Sequence, residues 1–505
     1  MVGKIAAMKE RMKRSFPRLA SAARYVGGRR KRFLALFLTV AHTAGALTSV
    51  QAIMTTRTAQ GATAWAISLN TFPYLAVPAY WVFGRTKFEG YVETRRGEDS
   101  RTAPAIEEFR RLAARGGVVA PGYGQGVNLV ERLARMPATT GNDVELLRAG
   151  DSIFPSIFAG IDDAKSYLLV QFYIVRADQV GMKLKDHLLA ARRRGVMVKF
   201  VYDKVGSLGL PDDYIAELTD AGAEVLPFLS TKAKGVSNRT QLNFRNHRKV
   251  VVADGRVAWV GGANIGDEYT SGHEKVSALH DTMVKVTGPA VQTIQIVFRE
   301  DWLWASGDLL ELDWDPAPAP SGANKTVLCL PSGPADRYET CALYFLHLIQ
   351  TADKRLWISS PYFIPDEQIV SALEIAALRG VEVRILIPDK SDSRLIDLSG
   401  WAYADRLAAA GVRIYRHLDG FMHQKVILVD SRLATVGTAN FDNRSFRLNF
   451  EITLEISDPA FAGQVAAMLE KDFISSRLVK PGELAERSFP FRFGVRAANL
   501  LSPIQ

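Results

Sequence analysis

One string of residues occurs twice in this chain. His247-Arg-Lys249-Val-Val-Val-Ala-Asp254 is followed by six residues and then Gly261-Gly-Ala-Asn264; His423-Gln-Lys425-Val-Ile-Leu-Val-Asp430 is followed by six residues and then Gly437-Thr-Ala-Asn440. The two copies lie about 176 residues apart, far beyond the roughly 20–50 residues of a solenoid repeat. The period therefore reads as a duplicated domain. The flanks repeat as well. Apolar Tyr167–Val175, a helical stretch near Met182–Arg194 and the strand-like Val196–Tyr202 are matched by Arg355–Ser360, Glu367–Arg379 and Val381–Pro388. Strand, helix and strand in alternation predict an α/β fold, two tandem domains whose mixed sheets are flanked by helices. Asp315-Pro-Ala-Pro-Ala-Pro-Ser-Gly322 has no apolar periodicity and is taken as the linker. The domains then run over 141–314 and 324–480, with the linker at 315–323.

The motif spacing has a chemical sense. His and Lys two apart on a strand face the same side, so both reach one site. Glycine next to the following strand lets backbones approach closely, and Asn adds an amide donor. Two such sets brought together place two imidazoles, two ammoniums and two amides around one point. Lysines and amides suit the non-bridging oxygens of a phosphodiester, while one imidazole attacks phosphorus and the other protonates the leaving oxygen. The candidates are His247, Lys249, Asp254, His423, Lys425 and Asp430 for catalysis, and Asn264 and Asn440 for phosphate. Asp254 and Asp430 also stand before Gly255 and Ser431, where an aspartate ordinarily makes a turn. No carboxylate cluster is spaced for a metal, so no metal or other cofactor is expected. Cys329 and Cys341 make neither a disulfide framework nor a zinc site.

At 505 residues, 48% hydrophobic and 23% charged, the chain is neither disordered nor fibrous. Its formal charge of +10 is carried entirely by residues 1–32, where eleven Lys/Arg face one acid, Glu10. The remainder is neutral, which argues against nucleic acid as a partner. Two uncharged runs follow, Phe33–Thr56 and Thr58–Gly84, of 24 and 27 residues. About 20 apolar residues cross a bilayer core, so both are long enough. The second, with Trp65, Tyr74, Tyr80 and Trp81 at belt positions, is the more complete span by this reading. Only Arg57 separates the runs, whereas residues 85–101 hold five cations. The Lys/Arg asymmetry predicts a hairpin at 33–84 with both flanks cytoplasmic, a basic tail at 1–32 against an anionic membrane surface, and a juxtamembrane region at 85–140.

The doubled motif resembles that of the phospholipase D superfamily. Asn243-Phe-Arg-Asn-His-Arg-Lys249, Gly261-Gly-Ala-Asn-Ile-Gly-Asp-Glu-Tyr269, Gly288-Pro-Ala-Val291, Pro331-Ser-Gly-Pro334, Ser360-Pro-Tyr-Phe-Ile-Pro-Asp-Glu367 and Gly437-Thr-Ala-Asn-Phe-Asp-Asn-Arg-Ser-Phe446 narrow the resemblance to bacterial cardiolipin synthases. It extends from the hairpin to Leu500-Leu-Ser-Pro-Ile504. The resemblance implies two phospholipase D-like domains and a multi-pass enzyme of the bacterial inner membrane with cytoplasmic catalytic domains. Such an enzyme passes a phosphatidyl group between two phosphatidylglycerol molecules through a phosphatidyl-histidine and releases glycerol. It also implies a carboxylate orienting each catalytic His: Glu451 in the second half and Asp281 in the first, where Leu279-His280 replaces the usual aromatic-plus-Arg lead. His247 is the expected nucleophile and His423 the acid, then base. Hydrolysis to phosphatidic acid is the alternative outcome, ahead of a nuclease or a non-catalytic lipid-binding scaffold. Oligomeric state is not readable from the sequence. Residues 228–246, with Lys232, Lys234, Arg239 and Phe244, read as a solvated loop or a lid, and Phe489–Arg496 within 481–505 as an interfacial segment.

Overall fold

The computed structural model describes residues 17–84, 102–122, 128–228, 243–270 and 279–504, with side chains omitted for 17–31. The chain divides into two compact units, Met1–Thr86 and Lys87–Gln505.

In the first unit Pro17–Thr55 is one continuous helix. Among the described residues, only its Arg32–Thr55 portion, 24 residues long, is a single helix apolar and long enough to cross a membrane. At ~1.5 Å per residue it covers ~36 Å. The second apolar run does not form one helix, which reverses the expectation that it is the more complete span. Ala59–Thr71 ends at Phe72 (φ −132°, ψ 56°), Pro73–Ala79 restarts, and Tyr80–Gly84 is a π turn. Pro73 is the cause: it excludes the preceding residue from helical geometry yet suits the first turn of the next helix. The pieces pack on the long helix through close backbone approach, since a side-chain carbon at Gly45 would lie 2.2 Å from the Leu69 carbonyl oxygen. Polar contacts add to this, with Asn70 Nδ2 donating to Ser49 Oγ at 3.2 Å and the Thr55 and Tyr80 hydroxyls 3.1 Å apart.

In the body, the apolar runs become strands of one large mixed sheet. Val250–Ala253 and Val426–Val429 are wholly buried, as strands covered on both faces must be. From edge to edge the strands run Ser476–Leu478, Arg413–His417, Glu382–Pro388, Arg355–Ser359, Val426–Val429, Leu433–Gly437, Asn449–Ser457, Lys325–Ser332, Thr139–Arg148, Thr282–Thr287, Val257–Gly261, Val250–Ala253, Tyr167–Phe172, Met197–Tyr202 and Glu224–Pro227. The centre of this order is the antiparallel pair Lys325–Ser332 and Thr139–Arg148, with Val327 opposite Thr139. Outward from that seam the two flanks repeat the same strand order. Each contains two adjacent parallel pairs, the first of them spanned by a helix, Gln179–Arg193 or Glu367–Leu378. Asp178 and Asp366 start these helices by accepting from the N–H three residues on, at 3.0 Å each.

The flanks share one core. Val284, Ile294 and Val297 belong to the same apolar cluster as Val436, Ile452 and Val465. Residues expected to form a juxtamembrane linker contribute to the body: Ala103–Arg115 is a helix whose Ile106, Phe109 and Ala113 enter that core. The Pro/Ala segment 315–322 has no regular secondary structure but is docked, with Ala319 N donating to Gly141 O at 2.7 Å. Of the loop read at 228–246, residues 229–242 lie outside the described residues, as do the basic flanks at 1–16 and 85–101.

Candidate active site

Each motif histidine stands just before a buried strand, at a short parallel pairing with the other half of the body. Arg245–Asn246 pairs with Asn449–Phe450, and Phe421–Met422 pairs with Leu279–His280. His247 N donates to Phe450 O at 2.9 Å and His423 N to His280 O at 2.8 Å. The next residue on each partner strand is a carboxylate, Glu451 or Asp281. His247 Nδ1 therefore lies 3.0 Å from both Glu451 oxygens, and His423 Nδ1 lies 2.7 Å from Asp281 Oδ2. The sequence placed one such carboxylate in each half; in the structure each lies against the histidine of the other half, because the parallel pairings cross between halves. The structure also explains why Leu279-His280 serves in place of an aromatic-plus-Arg lead: the contact is made by the His280 carbonyl.

Glycine makes room for one of these braces. A side-chain carbon at Gly262 would lie 2.1 Å from Asp281 Oδ1. The matching position in the other half is Thr438, whose hydroxyl instead donates to Glu451 Oε2 at 2.6 Å. Lys249 Nζ donates to the His247 carbonyl at 2.7 Å and stands 5.2 Å from the centre of the Tyr173 ring. Lys425 Nζ lies 2.7 Å from His423 Nδ1 and 3.7 Å from Asp281. With its Nδ1 proton directed to a carboxylate, each imidazole keeps Nε2 available as nucleophile or base.

Burial sets the charge state. It draws His247 down to about 4 against the pull of Glu451, and His423 down to about 4 with Lys425 adding to the effect. Burial likewise lowers Lys425 to about 8 and holds Lys249 well below an ordinary lysine. Burial pushes Glu451 up, but His247, Lys249 and Thr438 together bring it below its usual value. The first cause for both lysines is loss of water, and Glu451 and Asp281 pull the other way.

Both histidines line a single cavity of about 1300 Å³, with Asn264 and Asn440. Asn264 is already engaged, accepting from Ile174 N at 3.1 Å and donating to the Tyr269 hydroxyl at 2.9 Å. Asn440 is the freer of the two, its buried Oδ1 having no hydrogen-bond partner among the described residues. The motif aspartates do not join this cluster. Asp254 and Asp430 sit in left-handed turns (φ 53° and 56°) at the opposite ends of the strands that begin beside the histidines. Asp254 accepts from the N–H groups of Lys165, Ser166 and Tyr167, each at 2.8 Å, and Asp430 from those of Asp353, Lys354 and Arg355. Their place is the turn. Among the described residues no group of three or more His, Cys, Asp or Glu side chains is arranged to hold a metal.

The cavity adds residues that sequence reasoning did not single out: Tyr173, whose ring centre is 5.0 Å from that of His247, with Tyr362, Arg245, Arg444 and Asp442. Burial raises Asp442 to about 6. Arg444 and Asp442 were within sight, since both closely follow Asn440, although the repeat ends there: Gly266 and Glu268 stand at the matching positions of the first half.

Two histidines from duplicated strings on one cavity, each with a buried lysine bonded to its carbonyl, in a mixed α/β fold, define a phospholipase D-like protein. The profile of the family described as "Cardiolipin synthase, PLD-like domain" matches residues 157–302 and 345–473. A relative from Pseudomonas fluorescens named Cardiolipin synthase A is 44% identical over 482 residues, covering 93% of this chain and 98% of its own. One of the same name from Pseudomonas aeruginosa is 43% identical over 479 residues, covering 94% and 96%. The crystal structure of phosphatidylserine synthase from Haemophilus influenzae shares the fold, with a TM-score of 0.55 at 18% identity over 80% of this chain and 100% of that one. The chain belongs to the cardiolipin synthase family.

Proposed function

We infer that this protein is a membrane-bound phosphatidyltransferase that joins two phosphatidylglycerol molecules into cardiolipin and releases glycerol. The observation that carries the reading is the pair of carboxylate-braced histidines on one cavity, in a chain resembling Cardiolipin synthase A along nearly its whole length. His247 Nε2 attacks the phosphorus of the first lipid while His423 gives its proton to the departing glycerol oxygen. His423 then takes the proton from a glycerol hydroxyl of the second lipid, and that oxygen displaces His247 from phosphorus. The diester's own charge, arriving beside Lys249 and Lys425, favours the protonated form of His423 needed for the first step. Lys425 at 2.7 Å from His423 makes that imidazole the better acid, while Glu451 grips His247 through both oxygens, which supports His247 as nucleophile.

In this reading the body is two phospholipase D-like repeats, 141–314 and 324–480, fused through the sheet seam. The repeated strand order supports that division. Residues 33–84 form a membrane hairpin with both flanks in the cytoplasm of a bacterial cell, and Phe489–Asn499, whose Phe489 and Phe493 are 70% and 64% exposed, lies in the membrane interface. The test is a product assay with the purified protein in detergent and phosphatidylglycerol, using His247→Ala as the blank. Cardiolipin and glycerol in equal amounts are expected. Phosphatidic acid alone would move the assignment to a hydrolase, because water in place of a lipid hydroxyl completes the same first step.

A further inference from the structure

The two halves place matching residues around the cavity, and the places where they fail to match make it electrically lopsided. Two residues before His247 stands Arg245; two before His423 stands Phe421. Four residues after Asn440 stands Arg444; four after Asn264 stands Glu268. All four line the cavity. Arg245 lies directly opposite Asn449 in the short parallel pairing beside His247. Arg444, on the short helix Asn443–Arg447, is fixed by donating to Asn243 O at 2.7 Å and Asn243 Oδ1 at 3.1 Å, two residues before Arg245. The two guanidiniums thus occupy one wall. Asp442, also on the cavity, is a single carboxylate against two guanidiniums, so it offsets them only in part. The matching positions by the other histidine carry an aromatic ring and a carboxylate, Glu268, which is itself joined to Arg176 at 2.7 Å.

Joining two phosphatidylglycerols requires two phosphates in the site at once: one that reacts and one, on the acceptor, that does not. The lysines and histidines account for the first. We propose that Arg245 and Arg444 form a second anion subsite that holds the unreacting phosphodiester of the acceptor lipid, so that the site selects an anionic phospholipid over a neutral alcohol. Planar, multiply donating guanidiniums suit a phosphodiester, and a partly buried setting strengthens the contact. The proposal rests on the phosphatidyltransferase reading and assigns the direction from which the second lipid enters, on the His247 side.

The experiment compares two fates of one intermediate. Purified full-length protein in detergent is given phosphatidylglycerol and labelled glycerol. Displacement of His247 from phosphorus by the labelled glycerol hydroxyl, with its proton passing to His423, returns labelled phosphatidylglycerol. Displacement by the hydroxyl of a second phosphatidylglycerol gives cardiolipin. In Arg245→Gln and Arg444→Gln, cardiolipin formation is expected to fall about tenfold or more relative to glycerol exchange, the scale of one charge-assisted hydrogen bond. Arg245→Lys, which keeps the charge, is expected to recover most of the loss. Exchange also reports whether each variant is folded. A parallel fall of both products in Arg245→Gln with unchanged thermal unfolding would overturn the subsite, placing that arginine on the reacting phosphate. An unchanged ratio would overturn it too. Phosphatidic acid from the unaltered protein, with neither cardiolipin nor exchange, would instead remove the transferase reading beneath it.

Discussion

Glu451 and Asp281 are fully buried, and each touches the histidine contributed by the other half. Replacing either carboxylate with its amide leaves the shape but offers the wrong hydrogen-bond pattern to Nδ1. Glu451→Gln is expected to slow release of the first glycerol by about 10²–10⁴-fold, the scale of losing an orienting carboxylate behind a catalytic imidazole. A single-turnover measurement of glycerol release checks it, and a near-normal rate would mean that the contact does not orient His247. Asp254→Ala acts differently, removing an acceptor from three backbone N–H groups far from the cavity. It is expected to cost about 1–3 kcal/mol of stability while the remaining folded enzyme turns over normally. Denaturant unfolding with activity per folded molecule tests this. Acid should also unfold the site. His247 and His423 each lie at about 4 in the native state because they are buried, against 6.5 ordinarily. Between those values the unfolded chain binds more protons, so their contribution to stability is fully present above about pH 6.5 and lost as pH falls towards 4. His423→Gln is expected to flatten that dependence; an identical profile in the variant would count against it. The sequence made the histidines and lysines legible because their spacing repeats. It hid the pairing of Glu451 with His247, which spans 204 positions and depends on which short strands meet.

At the scale of elements, periodicity worked where one face is buried and one is wet. The helices at Gln179–Arg193 and Glu367–Leu378 were readable for that reason, and their ends follow from Asp178 and Asp366. Ala290–Ser306 left no such stripe: nearly every residue on it is buried, so no polar face marks it as a helix. The second apolar run near the start misled by composition, since length alone takes no account of Pro73. Pro73→Ala is expected to restore helix through Phe72, joining Ala59–Thr71 to the segment after it. Oriented circular dichroism or amide exchange of residues 68–76 in detergent reads the change, and exchange as fast as in the parent would show that packing, not proline, sets the break.

At the scale of the molecule, the seam between Thr139–Arg148 and Lys325–Ser332 makes the body one sheet with one apolar cluster shared by both flanks, beside a further cluster at each. The sequence repeat announced two domains but not that their cores merge, because the merging residues are ordinary apolar ones on both sides. The body is therefore expected to melt in a single cooperative step, with the calorimetric and van't Hoff enthalpies of residues 87–505 in agreement. Two resolved transitions would show that each half is stable without the other.

The crossing of the braces also bears on the chain while it is being made. His247 acquires its carboxylate only from position 451, and His423 pairs backward with position 281. A ribosome that has finished the first motif has made a histidine and a lysine without the group that orients them. The anchor precedes both, so an incomplete or truncated chain is already directed to the lipid it would attack. The last brace is withheld until the second repeat is nearly complete, so a chain that stops short of position 451 carries His247 without the carboxylate that orients it.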